Sequence, residues 1–155
     1  MIQSTNNAIQ ILPTNTSDIT FSNDELRTRS ATCSGWLNHT EGTAQYTILG
    51  NDNCCQPAVY DVTFTANVSG ATAGSIEIAL KENGTPVLGA SANAVVTPNE
   101  YTNISFTKRI RLCPRENVTL TIGSVAAVSE VVDTPIATVP PTLKNINLII
   151  EKVRF

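Results

Sequence analysis

Hydrophobic and polar positions alternate with a period of two along much of this chain. In 58–66, "AVYDVTFTA", Tyr60, Val62 and Phe64 fall on one side, and Asp61, Thr63 and Thr65 on the other. In 101–112, "YTNISFTKRIRL", Ile104, Phe106, Ile110 and Leu112 share a side with Lys108. Ser105, Thr107, Arg109 and Arg111 share the opposite one. In the last run, 143–153, Ile146, Leu148 and Ile150 point one way, and Asn147, Ile149 and Glu151 the other. Each run has one apolar and one polar face, the mark of a strand buried on one side only.

Shorter runs of the same kind recur between turn residues. The pattern predicts further strands at 8–12, 18–22, 44–49, 74–81, 86–90 and 117–122. Asn83-Gly84 in "KENGTP" predicts a tight hairpin, because a type I′ turn needs positive φ twice in succession. The stretch 131–144 carries Pro135, Pro140 and Pro141 and reads as a loop before the last strand. No window shows a convincing helical period. The segment 124–132 is the nearest approach, and its flanks favour strand or loop. Many short strands without helices predict a single all-β domain, a sandwich or barrel.

Composition agrees with this reading. The chain has 155 residues, enough for one domain with a real core, and only 15% of them are charged. A formal charge of -3 gives no pull toward nucleic acid or an anionic membrane. No apolar run reaches the roughly 20 residues needed to span a bilayer as a helix. The start, "MIQSTNNAIQILP", has neither a basic nor an apolar leader region, so no signal peptide is expected.

The usual signatures of catalysis are not found. There is one histidine, His39, in the polar stretch "WLNHTEG", and it reads as a solvated loop residue. No G-x-S-x-G elbow or phosphate-binding glycine loop appears. Acid pairs such as Asp24-Glu25 read as solvated turn residues. No catalytic residue, metal or cofactor is therefore expected. Asn15, Asn38, Asn67, Asn83, Asn103 and Asn117 begin N-x-S/T sequons, which a chain rich in Asn and Thr yields by chance. Cys33, Cys54, Cys55 and Cys113 fit no zinc spacing, and the plainest reading of them is free buried thiols.

The order of these elements carries a resemblance. "AVYDVTFTANVSG", "GSIEIALKENGTPVLGASA", "YTNISFTKRIRLCPRENVTLTI" and "NINLIIEKV" together resemble the jelly roll of the complement-head and tumour-necrosis-factor superfamily. Within it they are most similar to the bacterial and phage branch that includes the C-terminal domain of collagen-like exosporium proteins. Tyr60, Phe64, Asn83-Gly84, Val87, Gly89, Leu148, Ile150 and Lys152 stand at that branch's motif positions. Ala58 replaces a usual glycine, and "PREN" (114–117) replaces a Gly-Asp turn. The resemblance covers 57–155 well and 1–56 poorly.

It implies an antiparallel jelly-roll β-sandwich that assembles as a homotrimer, with binding or display as its work. Strand 58–66 would lie between 101–112 and 143–153, its outward face meeting the threefold axis. Asp61, Arg109, Arg111 and Glu151 would then pair at the trimer interface. Cys54 and Cys55, just before one strand, would lie near Cys113, just after its antiparallel neighbour. Residues 18–155 would form the jelly roll, with 1–17 an N-terminal arm or an edge strand.

The function expected is that of a phage structural protein, a trimeric capsid decoration or head-fibre display domain. It would be assembled in the host cytoplasm onto the virion, with capsid or other virion proteins as partners. The alternative is a carbohydrate- or receptor-binding module of a phage tail or bacterial surface, with a host-surface glycan as partner. Trp36 and Tyr101 are its aromatic candidates, although Trp36 reads more simply as a buried plug. An enzyme on a jelly-roll scaffold would need several histidine and carboxylate ligands.

Overall fold

The computed structural model describes residues 1–14, 16–27, 36–52, 56–126 and 138–153, and no helix occurs among them. The protein is an all-β antiparallel sandwich of jelly-roll type. Its strands are β1 (Ile2–Asn6), β2 (Gln10–Ile11), β3 (Asn23–Arg27), β4 (Leu37–His39), β5 (Tyr46–Leu49) and β6 (Ala58–Gly70). They continue with β7 (Gly74–Glu82), β8 (Thr85–Val96), β9 (Thr102–Leu112), β10 (Asn117–Ser124) and β11 (Pro141–Val153).

One sheet runs β3-β1-β11-β6-β9, with the short β2 pairing β11 beside it; the other runs β4-β5-β10-β7-β8. The period-two pattern builds the core between them. Tyr60, Val62 and Phe64 of β6, Ile146, Leu148 and Ile150 of β11, and Ile104 and Ile110 of β9 are all buried. They meet Ile76, Ile78 and Leu80 of β7 and Leu120 and Ile122 of β10 from the facing sheet. The aromatic rings of Phe64 and Phe106 face each other across the β6–β9 pairing, 5.4 Å apart.

The turn at 83–84 forms as its sequence requires. Asn83 has φ 49° and Gly84 φ 84°, so both central residues are left-handed. The "PREN" turn also closes through one left-handed residue, Arg115 at φ 63°, with the Glu116 amide donating to the Cys113 carbonyl at 3.1 Å. Pro141 opens β11, a position where its missing N–H is tolerated. Lys108 breaks the apolar face of β9 because that strand is an edge. Its ammonium passes the core and donates to the Leu88 carbonyl at 2.8 Å.

The first third of the chain departs from the expectation. Residues 18–22 are not a strand and contribute only isolated bridges at Asp18 and Phe21. Within 8–12 only Gln10–Ile11 pairs. Three strands stand where none was expected: β1, β3 and β4. β1 pairs with β11 on one side and β3 on the other, and its Ile2 is fully buried. The segment 2–6 is therefore woven into the sandwich, as neither a projecting arm nor an edge. Its pattern hid this: "IQSTN" places Ser4, Thr5 and Asn6 in buried positions, where the Ser4 and Thr5 side chains bond to β3 and the Asn6 side chain bonds to the Thr20 carbonyl.

Candidate functional site on the outer face of the β9–β6–β11 sheet

Strand β6 lies between β9 and β11, so the polar faces of all three strands form one continuous outer surface. Asp61 stands opposite Arg109 on one side and Glu151 on the other. The sheet thus sets Arg109, Asp61 and Glu151 in a row across its three strands, and Arg111 lies two residues further along β9 on the same face. Arg109 grips Asp61 with two bonds, Nε to Oδ1 and Nη2 to Oδ2, each 2.7 Å. This fork geometry is what the planar guanidinium offers a carboxylate. The Arg109 bonds hold the Asp61 carboxyl below its usual value, and the same bonds raise Arg109. Glu151 is felt at the Met1 amino group, whose pKa burial lowers and the carboxylate partly restores.

Further along the face hydroxyls and amides pair across β6 and β9, with Ile149 of β11 beside Thr63. Thr63 and Thr107 hydroxyls lie 3.2 Å apart, and Asn103 Nδ2 donates to Asn67 Oδ1 at 3.0 Å. These are direct cross-strand pairs that knit β6 to β9 from outside. Toward the same end the Lys144 ammonium sits 3.8 Å from the centre of the Tyr101 ring. At the opposite end of the sandwich, Lys152 sits 3.4 Å over the half-buried Trp36 ring. Both aromatic candidates thus already carry a cation on one face.

Of the cysteines, Cys113 is exposed at the end of β9. Ala58 pairs with Leu112, so the start of β6 does lie beside the end of β9. Cys33, Cys54 and Cys55 lie outside the described residues. Among the described residues, no three His, Cys, Asp or Glu side chains converge as a metal-binding set.

Sequence reasoning missed a second polar cluster, at the β1–β3–β4–β5 corner. His39 is not solvated: its side chain is fully buried against that of Asp24. Its ring stacks on Tyr46 at 4.0 Å and meets Phe21 edge-on. Nδ1 lies 2.8 Å from Asp24 Oδ1, and Nε2 lies 3.2 Å from the Thr43 carbonyl oxygen. The Asp24 carboxylate also accepts from the Ser4 hydroxyl and from Arg27, whose second contact is the His39 carbonyl at 2.8 Å. Burial pushes the Asp24 carboxyl up, but the bonds from Ser4, His39 and Arg27 outweigh it, and the net shift is downward. One signal was available: Leu37 and His39 alternate about Asn38, the minimal strand pattern.

No protein-family model matches the chain, and a search of curated proteins finds no match either.

Proposed function

We propose that this protein is a non-enzymatic structural protein of a phage particle, a trimeric capsid decoration or head-fibre display domain of the tumour-necrosis-factor-like jelly-roll superfamily. The observation that carries the reading is the strand order β11-β6-β9, with the row Arg109–Asp61–Glu151 on its outward face. That is the arrangement the resemblance calls for at a threefold axis. A second feature supports assembly. Leu88 and Val95 of β8 are 91% and 67% exposed on the β8–β9 flank. Ile9 and Ile11, at 62% and 72%, are exposed around β2, on the far side of β11 from β6. A closed ring needs two different patches that meet head to tail, and these two lie on opposite flanks.

The glycan-binding alternative has less support, since Lys144 and Lys152 each cover a face of the aromatic ring that a sugar would stack on. The test is light scattering of the purified protein, followed by sedimentation with capsids of the phage whose genome encodes it. A particle three times the 16.6 kDa chain mass that co-sediments with capsids is the expected result. A monomer that ignores capsids overturns it.

A further inference from the structure

The open end of the sandwich holds an arrangement that neither display nor trimer formation requires. Lys152 follows Ile146, Leu148 and Ile150 on the inward face of β11, in register with Tyr60. A lysine at an apolar position must be held there by something. Trp36 covers its ammonium at 3.4 Å, and its Nζ reaches Asn51 Oδ1 at 2.7 Å. The Asn51 amide is fixed from behind. Its Nδ2 donates to the carbonyls of Gln56 and Pro57 at 3.1 and 3.0 Å, which turns Oδ1 toward the lysine. The surrounding frame is equally fixed. The Tyr60 hydroxyl donates to the carbonyls of Trp36 and Leu49, and the Asn51 carbonyl accepts from the Arg115 amide.

We propose that Lys152 and Asn51 are the reactants of an intramolecular isopeptide bond that staples the end of β11 to the loop after β5. The chemistry is an amide exchange and needs no oxidant or cofactor. The Lys152 ammonium first releases one proton to water. The Nζ lone pair attacks Asn51 Cγ, forming the new C–N bond and a tetrahedral oxyanion. As the oxyanion collapses, the bond from Cγ to Nδ2 breaks. One remaining Nζ proton passes to Nδ2, through water or the carboxylate of Asp52, and ammonia leaves. The product is a secondary amide between the two side chains, plus one ammonia.

Three features favour this reaction over a simple hydrogen bond. Two side chains held in contact react as if at very high concentration. The amide that must be attacked is immobilised through its leaving group, and the departing ammonia can bond to the same two carbonyls. The nucleophile is also prepared. Contact with the Trp36 ring and the charge of Asp52 favour the ammonium form, yet burial wins and lowers the Lys152 pKa. The bond would close a covalent ring between positions 101 residues apart in sequence. It would prevent β11, the centre of its sheet, from being pulled out of the fold at its C-terminal end.

Intact-mass spectrometry of the purified full-length chain tests this. The expected mass is short of the sequence mass by one ammonia, and a proteolytic digest should contain one branched peptide joining the Asn51 and Lys152 segments. Lys152→Arg, which keeps the charge but not the nucleophile, should show the full mass and melt about 10 °C lower, as expected for losing a long covalent loop. A full, unmodified mass in the folded native chain overturns the proposal. So does a missing ammonia confined to the Asn51 peptide, since that is a succinimide at Asn51-Asp52. If Lys152→Arg does not fold, the native chain's mass and peptide map still decide.

Discussion

Two charged clusters among the described residues contain an arginine and an aspartate bonded to each other, and they differ in nearly every physical respect. On the outer face of the β9–β6–β11 sheet, Arg109 and Asp61 meet in solvent, with side chains 59% and 32% exposed. At the β1–β3–β4–β5 corner, Asp24 is fully buried and holds Ser4, Arg27 and His39 together. The first pair loses little water on forming and gains little, because solvent screens it. In the second, the Asp24 carboxylate has lost its water although Arg27 still reaches solvent, so each bond the carboxylate accepts replaces hydration that cannot return. The outer pair is therefore available for recognition, whereas the corner is a structural joint. Charges that look alike in sequence serve opposite ends according to burial.

The largest effect expected comes from removing the strand that supplies the corner's Ser4. A chain lacking residues 1–13 loses β1 from between β11 and β3, along with the fully buried Ile2 and Leu12. It should give no cooperative unfolding transition by circular dichroism. A folded truncated protein would show that the corner is dispensable. Less drastic, Asp24→Ala leaves His39 and Arg27 without their shared acceptor. It should lower stability by about 3–5 kcal/mol, the usual effect of breaking a buried pair from one side. Urea unfolding at neutral pH measures this.

Acid sharpens the contrast without mutation. The Asp24 pKa is lower in the folded protein than its ordinary 3.8. Its contribution is therefore fully present above that value and is lost as pH falls through the folded pKa. Asp61 shifts in the same direction but at the surface. The stability difference between the native chain and Asp24→Asn should thus be constant from pH 7 to about 5 and shrink below pH 3.8. Urea midpoints at several pH values follow it, and a gap that widens on acidification contradicts the assignment.

How much of this was legible beforehand follows from the same physics. The β6, β9 and β11 strands are buried on one face and wet on the other, so period-two alternation marks them and puts Ile146, Leu148 and Ile150 inward, where they are buried. The Asn83-Gly84 hairpin was legible because backbone sterics alone demand it. The corner was not. "NDELR" in β3 is an edge strand with no apolar face of its own, and four of its five residues are exposed. In β1, Ser4, Thr5 and Asn6 are buried because Asp24, Glu25 and the Thr20 carbonyl satisfy them. A pattern of apolar residues cannot reveal a position whose burial depends on a hydrogen-bond partner about 20 residues away. His39 was misread for the same reason: its neighbours in sequence are polar, but its neighbours in space are Tyr46, Phe21 and Asp24.

The smallest effect on the fold is expected at the outer row, and there the two roles separate most clearly. Asp61→Arg places an arginine between Arg109 and Glu151 in the sheet register, with Arg111 close by. Within one subunit the repulsion is relieved in part by Glu151 and in part by solvent, so the midpoint of urea unfolding should stay within error of the native value. If the row meets its copies at a threefold axis, the same change sets extra positive charge from three subunits against one another in a confined space. There the screening that protects the monomer is reduced. Light scattering should then report monomers or a monomer–trimer mixture, with the far-ultraviolet spectrum unchanged. Asp61→Asn, which removes the pair without reversing it, should weaken the trimer less. A trimer of unchanged mass after Asp61→Arg removes the row from the axis and leaves Arg109–Asp61 an ordinary surface pair.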